Sequence, residues 1–155
     1  MRDGPASPPL TVLAFDFGLK RIGIAVGDSV TGTAAPRPAV AGGPDWAAIS
    51  REVSAQQPGL LVVGSPRNDD GSPSAMSKAA HRFALELATR FAIPVREVDE
   101  RYSSLEAGSA LRESRKSGTR RRRVRKEDVD SAAAAILLER FFAGEALPVV
   151  DNSRP

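Results

Sequence analysis

Residues 10–17, LTVLAFDF, are apolar at all but two positions, and the apolar side chains fall on both parities. A strand that is apolar on both faces is buried on both faces, so this segment belongs at the centre of a sheet with a layer on either side. Yet the run contains Asp16, between Phe15 and Phe17. Burying a lone carboxylate costs on the order of several kcal/mol unless it is paired or binds a metal. The next segment, RIGIAVGD over residues 21–28, alternates with small residues and reads as a second strand. Gly18, in the connecting turn, is expected to take a positive φ.

A weaker third strand is expected over residues 31–40, broken by Pro36 and Pro38, and completes a meander. Residues 44–58 read as a helix opened by Pro44 and ended by Pro58. Residues 60–63 form a compact apolar strand that runs into the loop GSPRNDDGSP. In residues 74–91, Phe83, Leu87 and Phe91 recur every four residues, as on one face of a helix. Residues 93–98 give the next strand. SSLEAGSALRESR reads as a helix with a capping box from Ser103 to Glu106. The last helix is expected over residues 128–142. Strands separated by helices become parallel neighbours. The expected class is therefore α/β: a mixed five-stranded sheet, a three-strand meander followed by parallel strands, with helices on both faces. One domain, residues 10–143, lies between tails expected to be flexible, residues 1–9 and 144–155. In such sheets ligands gather beyond the carboxyl ends of the parallel strands.

Composition narrows the chemistry. The chain has 155 residues, 41% hydrophobic and 26% charged, as expected for one globular domain. No apolar run reaches the roughly 20 residues of a membrane span, and residues 1–9 lack a signal-peptide core. A cytoplasmic location follows by default. The chain has no cysteine, which excludes disulfides, thiolate metal sites and cysteine nucleophiles. With a single histidine, His81, zinc is disfavoured, and Ser103 and Ser104 lack a histidine partner for nucleophilic catalysis. Net charge is +3, but residues 112–126 hold nine Arg or Lys against one acid, Glu113, leaving −5 for the rest. A basic loop over about residues 115–127 on an acidic body points to a polyanion such as nucleic acid. The competing reading is a solvated loop without a ligand.

Three acids have related addresses. Asp16 lies near the end of the first strand, and Asp99 and Glu100 end the last. Asp130 begins the series Ala133, Ala134, Leu137, Leu138 and Phe141, the spacing of a core-facing stripe. Asp128 lies about 200° round the helix from it. Such acids suit an oxygen-ligand site for Mg²⁺ or Mn²⁺. Equally, they suit ion pairs with Lys20, Arg21 or Arg101. Lys20, Arg21, Arg67 and Arg101 share this rim, where they can hold phosphates or pair with the acids. Asn68 and Asp70 can position a substrate or cap the turn before the following helix.

Four blocks, AFDFGLKRIGIAVGD, LLVVGSPRNDDGS, VDERYSSLEA and KEDVDSAAAAILLERFF, together resemble the YqgF/RuvX family, over about residues 10–142. The resemblance implies an RNase H-like fold and a metal-dependent nuclease. It carries the family's carboxylates onto Asp16, Glu100 and Asp130, as both catalytic and metal-binding residues, and makes Asp99 and Asp128 secondary. It implies a site for two Mg²⁺ or Mn²⁺ ions, with Asp16 bridging them. The first functional reading is maturation of the 5′ end of precursor 16S rRNA. The alternatives are resolution of Holliday junctions, and a non-catalytic RNA-binding factor. The expected partner is structured RNA or branched DNA, with no membrane, and monomer and homodimer are both open. Lys20, Arg21, Arg67, Asn68 and Arg101, with Arg120, Arg121, Arg122, Arg123, Arg125 and Lys126 of the basic loop, are the nucleic-acid-binding candidates. Leu19, Ser65, Arg67 and Tyr102 depart from the family's usual residues and bear on substrate preference.

Overall fold

Side chains alternate across a strand, so the doubly apolar first segment must feed two cores. In the computed structural model it does. The structure describes residues 10–65, 74–99, 126–145 and 147–148. Strand β1 (Thr11–Asp16) sends Leu13 and Phe15 to one face and Val12 and Ala14 to the other. All four are fully buried. β1 pairs antiparallel with β2 (Arg21–Asp28), which pairs antiparallel with β3 (Thr33–Ala41). On its other side β1 pairs parallel with β4 (Leu60–Ser65), and β4 with β5 (Val95–Asp99). The strand order is β3-β2-β1-β4-β5-β6. The two-residue β6 (Leu147–Pro148) runs antiparallel to β5 and adds an edge to the five expected strands.

Helices α1 (Trp46–Gln56) and α2 (Ala75–Phe91) cover one face, and α3 (Lys126–Phe142) covers the other. Asp45 caps α1 by accepting from the Ala48 amide at 3.1 Å. The helix ends at Gln57, in a left-handed conformation one residue before Pro58. Ser74 and Ser77 form a reciprocal capping box at the start of α2. Along α3, Ala133, Ala134, Leu137 and Leu138 are buried, as the stripe spacing requires. The first core is aromatic at its centre. Phe83 of α2 meets Phe15 edge-on at 5.6 Å, Phe17 at 5.2 Å and the Trp46 ring, stacked, at 5.4 Å. The Arg90 guanidinium covers the Trp46 ring at 4.2 Å.

Three local expectations are corrected. β3 continues through Pro36 and Pro38, because it is the edge strand and only β2 pairs with it. β4 runs two residues further than expected, to Ser65, because β1 pairs with it as far as Gly64 and β5 as far as Ser65. Gly18 does not have a positive φ; among the described glycines only Gly32 and Gly144 do. Glycine is needed at position 18 because a Cβ there would lie 2.5 Å from the Arg21 carbonyl oxygen. The expected helix within residues 103–115 lies outside the described residues, as does the loop after β4.

Phe83→Ala should destabilise the protein by about 3–5 kcal/mol, the usual cost of emptying a core phenylalanine. Leu85→Ala, on the same helix but 57% exposed, should change stability by no more than about 0.5 kcal/mol. Urea unfolding of both variants measures the difference.

Candidate active site at the carboxyl ends of the parallel strands

Asp16 is the last residue of β1, half-buried at the carboxyl end of the central strand. Its neighbours in the sheet are both glycine: Gly23 of β2 on one side and Gly64 of β4 on the other. Val98 of β5 lies beyond Gly64 in the same row. Paired residues in a ladder share a face, so this row lies on the face of Val12 and Ala14, the face that α3 covers. Neither flanking position carries a side chain, and both glycines are buried. Glycine inside a strand weakens it and commonly marks the close approach of a ligand or another backbone.

The same register separates the adjacent acids. Asp99 pairs with Ser65 and alternates with Val98, so it falls on the opposite face from Asp16. Glu97 shares the face of Asp99, where its carboxylate meets Nδ1 of His81 on α2 at 2.9 Å. His81 is on the surface. Val98, two residues before Glu100, shares the Asp16 face. Glu100 itself lies outside the described residues.

Ser131 holds the start of α3 against this end of the sheet. Its buried hydroxyl donates to the Arg37 carbonyl of β3 at 2.6 Å and receives a long contact, 3.4 Å, from the Ile24 amide of β2. Ile24 adjoins Gly23, where the β2–β3 register shifts. Ser131 directly follows Asp130, whose side chain, like the others of residues 126–130, is outside those described. Sequence reasoning missed Ser131, although it shares helical spacing with Ala134, Ala135 and Leu138. It also missed Gly23 and Gly64, whose signal was glycine within strand patterns.

Lys20 is exposed on the β1–β2 turn, and Arg21 opens β2, half-buried. The structure therefore brings Asp16, Lys20 and Arg21 to one end of the sheet. Arg67, Asn68, Arg101, Arg120–Arg123 and Arg125 lie outside the described residues, as does the Lys126 side chain. Among the described residues no three metal-ligating side chains cluster. None of their helices is long and apolar enough to cross a membrane.

Residues 10–144 match the family model described as RuvX, Holliday junction resolvase. The chain belongs to the RuvX family. A relative from Escherichia coli O7:K1, named "Putative pre-16S rRNA nuclease", is 46% identical over 85% of this chain and 95% of its own. One of the same name from Shigella boydii serotype 18 is 45% identical over the same shares. Among solved structures, Thermus thermophilus RuvC in complex with a Holliday junction substrate has a TM-score of 0.54 at 18% identity. The match spans 90% of this chain and 99% of that one. A second Thermus thermophilus RuvC structure gives a TM-score of 0.53 at 16% identity. The fold of this RuvX chain is thus RNase H-like and shared with the resolvases, and its family places it among hydrolases of phosphodiester bonds.

Ser131→Ala leaves the part-buried Arg37 carbonyl without its hydroxyl donor. It should cost about 1–3 kcal/mol in denaturant unfolding. A loss indistinguishable from that of an exposed alanine substitution would show that this bond does not hold the α3 start to the sheet.

Proposed function

We propose that this protein is a divalent-metal-dependent nuclease of structured RNA, acting on the 5′ end of precursor 16S rRNA. The observation that carries the reading is Asp16, half-buried at the end of the central strand between two glycines, in a chain of the RuvX family. The names of the relatives support the RNA substrate. The likeness to a resolvase bound to its junction supports branched DNA as the second reading.

An oxygen-donor set suits Mg²⁺ or Mn²⁺, and the half-buried Asp16 carboxylate at the strand end is a donor of that kind. Asp16, Glu100 and Asp130 would hold the ions. When bound, such ions activate a water nucleophile and stabilise the leaving oxygen. The protein's own groups do the remaining work. Asp16 sets the reaction centre on the α3 face. Lys20 and Arg21, with Arg67, Asn68 and Arg101, orient the phosphates on either side of the scissile bond. The basic loop, Arg120–Arg123 with Arg125 and Lys126, supplies sequence-independent attraction to the backbone.

The deciding experiment incubates the protein with a precursor 16S rRNA fragment and with a four-way DNA junction, each with Mg²⁺, Mn²⁺ or EDTA. Cleavage of the RNA alone supports the first reading, and of the junction alone the second. Binding without cleavage in any metal would leave a non-catalytic RNA-binding factor. Asp16→Asn should retain the fold by circular dichroism and lose cleavage. Activity that survives in this variant, or in excess EDTA, would falsify the metal-dependent reading.

Replacing Arg120–Arg123 with serine should weaken binding and flatten the salt dependence. At roughly −0.7 in log–log slope per phosphate contact on single strands, losing three to four contacts reduces the slope by about two to three. Turnover at saturating substrate should change much less, because these residues position substrate. Affinities at several salt concentrations test this, and an unchanged slope would move the contact surface to Lys20, Arg21 and Arg67.

A further inference from the structure

The β1–β2 turn that follows Asp16 does not stand alone. It packs against the turn between β3 and α1, and the contact is made by one glycine. The Gly42 amide donates to the Lys20 carbonyl at 2.9 Å. A Cβ on Gly42 would fall against the Leu19 carbonyl oxygen and 2.6 Å from the Gly18 carbonyl oxygen. Both obstacles are backbone, so a side chain there must displace the turn. On the other side of this contact, Arg21 pairs with Ala41, which continues the β2–β3 ladder to the base of the turn. Leu19, at the tip, is 64% exposed, and Lys20 is exposed beside it, so the clamp holds the backbone and leaves the side chains presented to solvent. The next residue, Gly43, is different: a Cβ there would have nothing within 4 Å.

We infer that Gly42 is a positioning residue, which clamps the 18–20 turn and thereby fixes Lys20 relative to Asp16. The inference rests on the nuclease reading above. A substrate phosphate held by Lys20 has its distance to the Asp16 carboxylate set by the path of four residues, and Gly42 fixes that path from outside. Misplacement of a reacting group by about 1 Å costs up to roughly a hundredfold in rate. Long-range attraction to nucleic acid does not depend on such placement, so affinity and turnover should separate.

The test compares Gly42→Ala, Gly43→Ala and Asp45→Ala with the wild-type protein on whichever probe, the precursor rRNA fragment or the four-way junction, the wild type cleaves. Asp45→Ala removes the α1 cap and lowers stability without adding an atom near the hairpin. Gly42→Ala should lower kcat at least tenfold with Kd changed less than threefold. Gly43→Ala and Asp45→Ala should keep kcat within twofold. Equal kcat for Gly42→Ala and Gly43→Ala, or an equal loss in Asp45→Ala, overturns the inference while leaving the nuclease reading intact. A wild-type protein that cleaves neither probe overturns that reading and this inference with it. Should Gly42→Ala not fold, amide exchange in the wild type decides. The Gly42 amide should be protected, and more strongly once the oligonucleotide binds. Protection unchanged by the oligonucleotide overturns the clamp.

Discussion

Strand β1 is hydrogen-bonded along both edges and packed on both faces, and the rest of the molecule depends on that. Its left and right ladders run in opposite senses, antiparallel to β2 and parallel to β4. Its side chains supply the centre of each core. β4 beside it is likewise paired on both edges and feeds both cores, whereas β3 and β6 are edges, and β5 has only the short β6 beyond it. A charge placed at the end of such a strand inherits its rigidity. The carboxylate of Asp16 is carried by backbone that is paired on both sides, as suits a group that must hold a fixed place in a reaction.

Around that carboxylate the sheet gives up apolar side chains. Glycines occupy the positions on either side of it, and a buried serine, not an apolar side chain, ties the start of α3 to β2 and β3. Each choice weakens local structure relative to an alternating apolar row. They are grouped at one end of the sheet, while its middle is filled by Phe15, Leu13, Ile24 and Val62 without polar interruption. The division is that of a scaffold whose core supplies stability and whose strand ends are kept for chemistry.

Much of this was legible before any coordinates. The double parity of residues 10–17 placed β1 at the centre, and the stripe Ala133, Ala134, Leu137 and Leu138 placed α3 on a face. What escaped has a common physical character: it depends on what a backbone meets across the fold. The reason for glycine at position 18 was misread as a torsion, when it is the approach of the Arg21 carbonyl. The prolines of β3 seemed to interrupt a strand because its edge position was not visible from its own composition. Ser131 and the flanking glycines needed the register of strands far apart in sequence. The choice between Asp99 and Glu100 came from the family resemblance; the alternation across β5 independently sets Asp99 on the face away from Asp16.

That alternation ties chemical accuracy to apolar packing. If β5 slipped by one residue along β4, Asp99 would enter the row of Asp16, and Val98 would leave the α3 core for the other side of the sheet. The slipped state would bury a charge among Val62, Leu137 and Leu138 and turn a fully packed valine out of place. A misassembled site therefore cannot persist as a well-folded but inactive protein. The hydrophobic layer proofreads the placement of the strand-end acids, and an error in one is rejected as an error in the other.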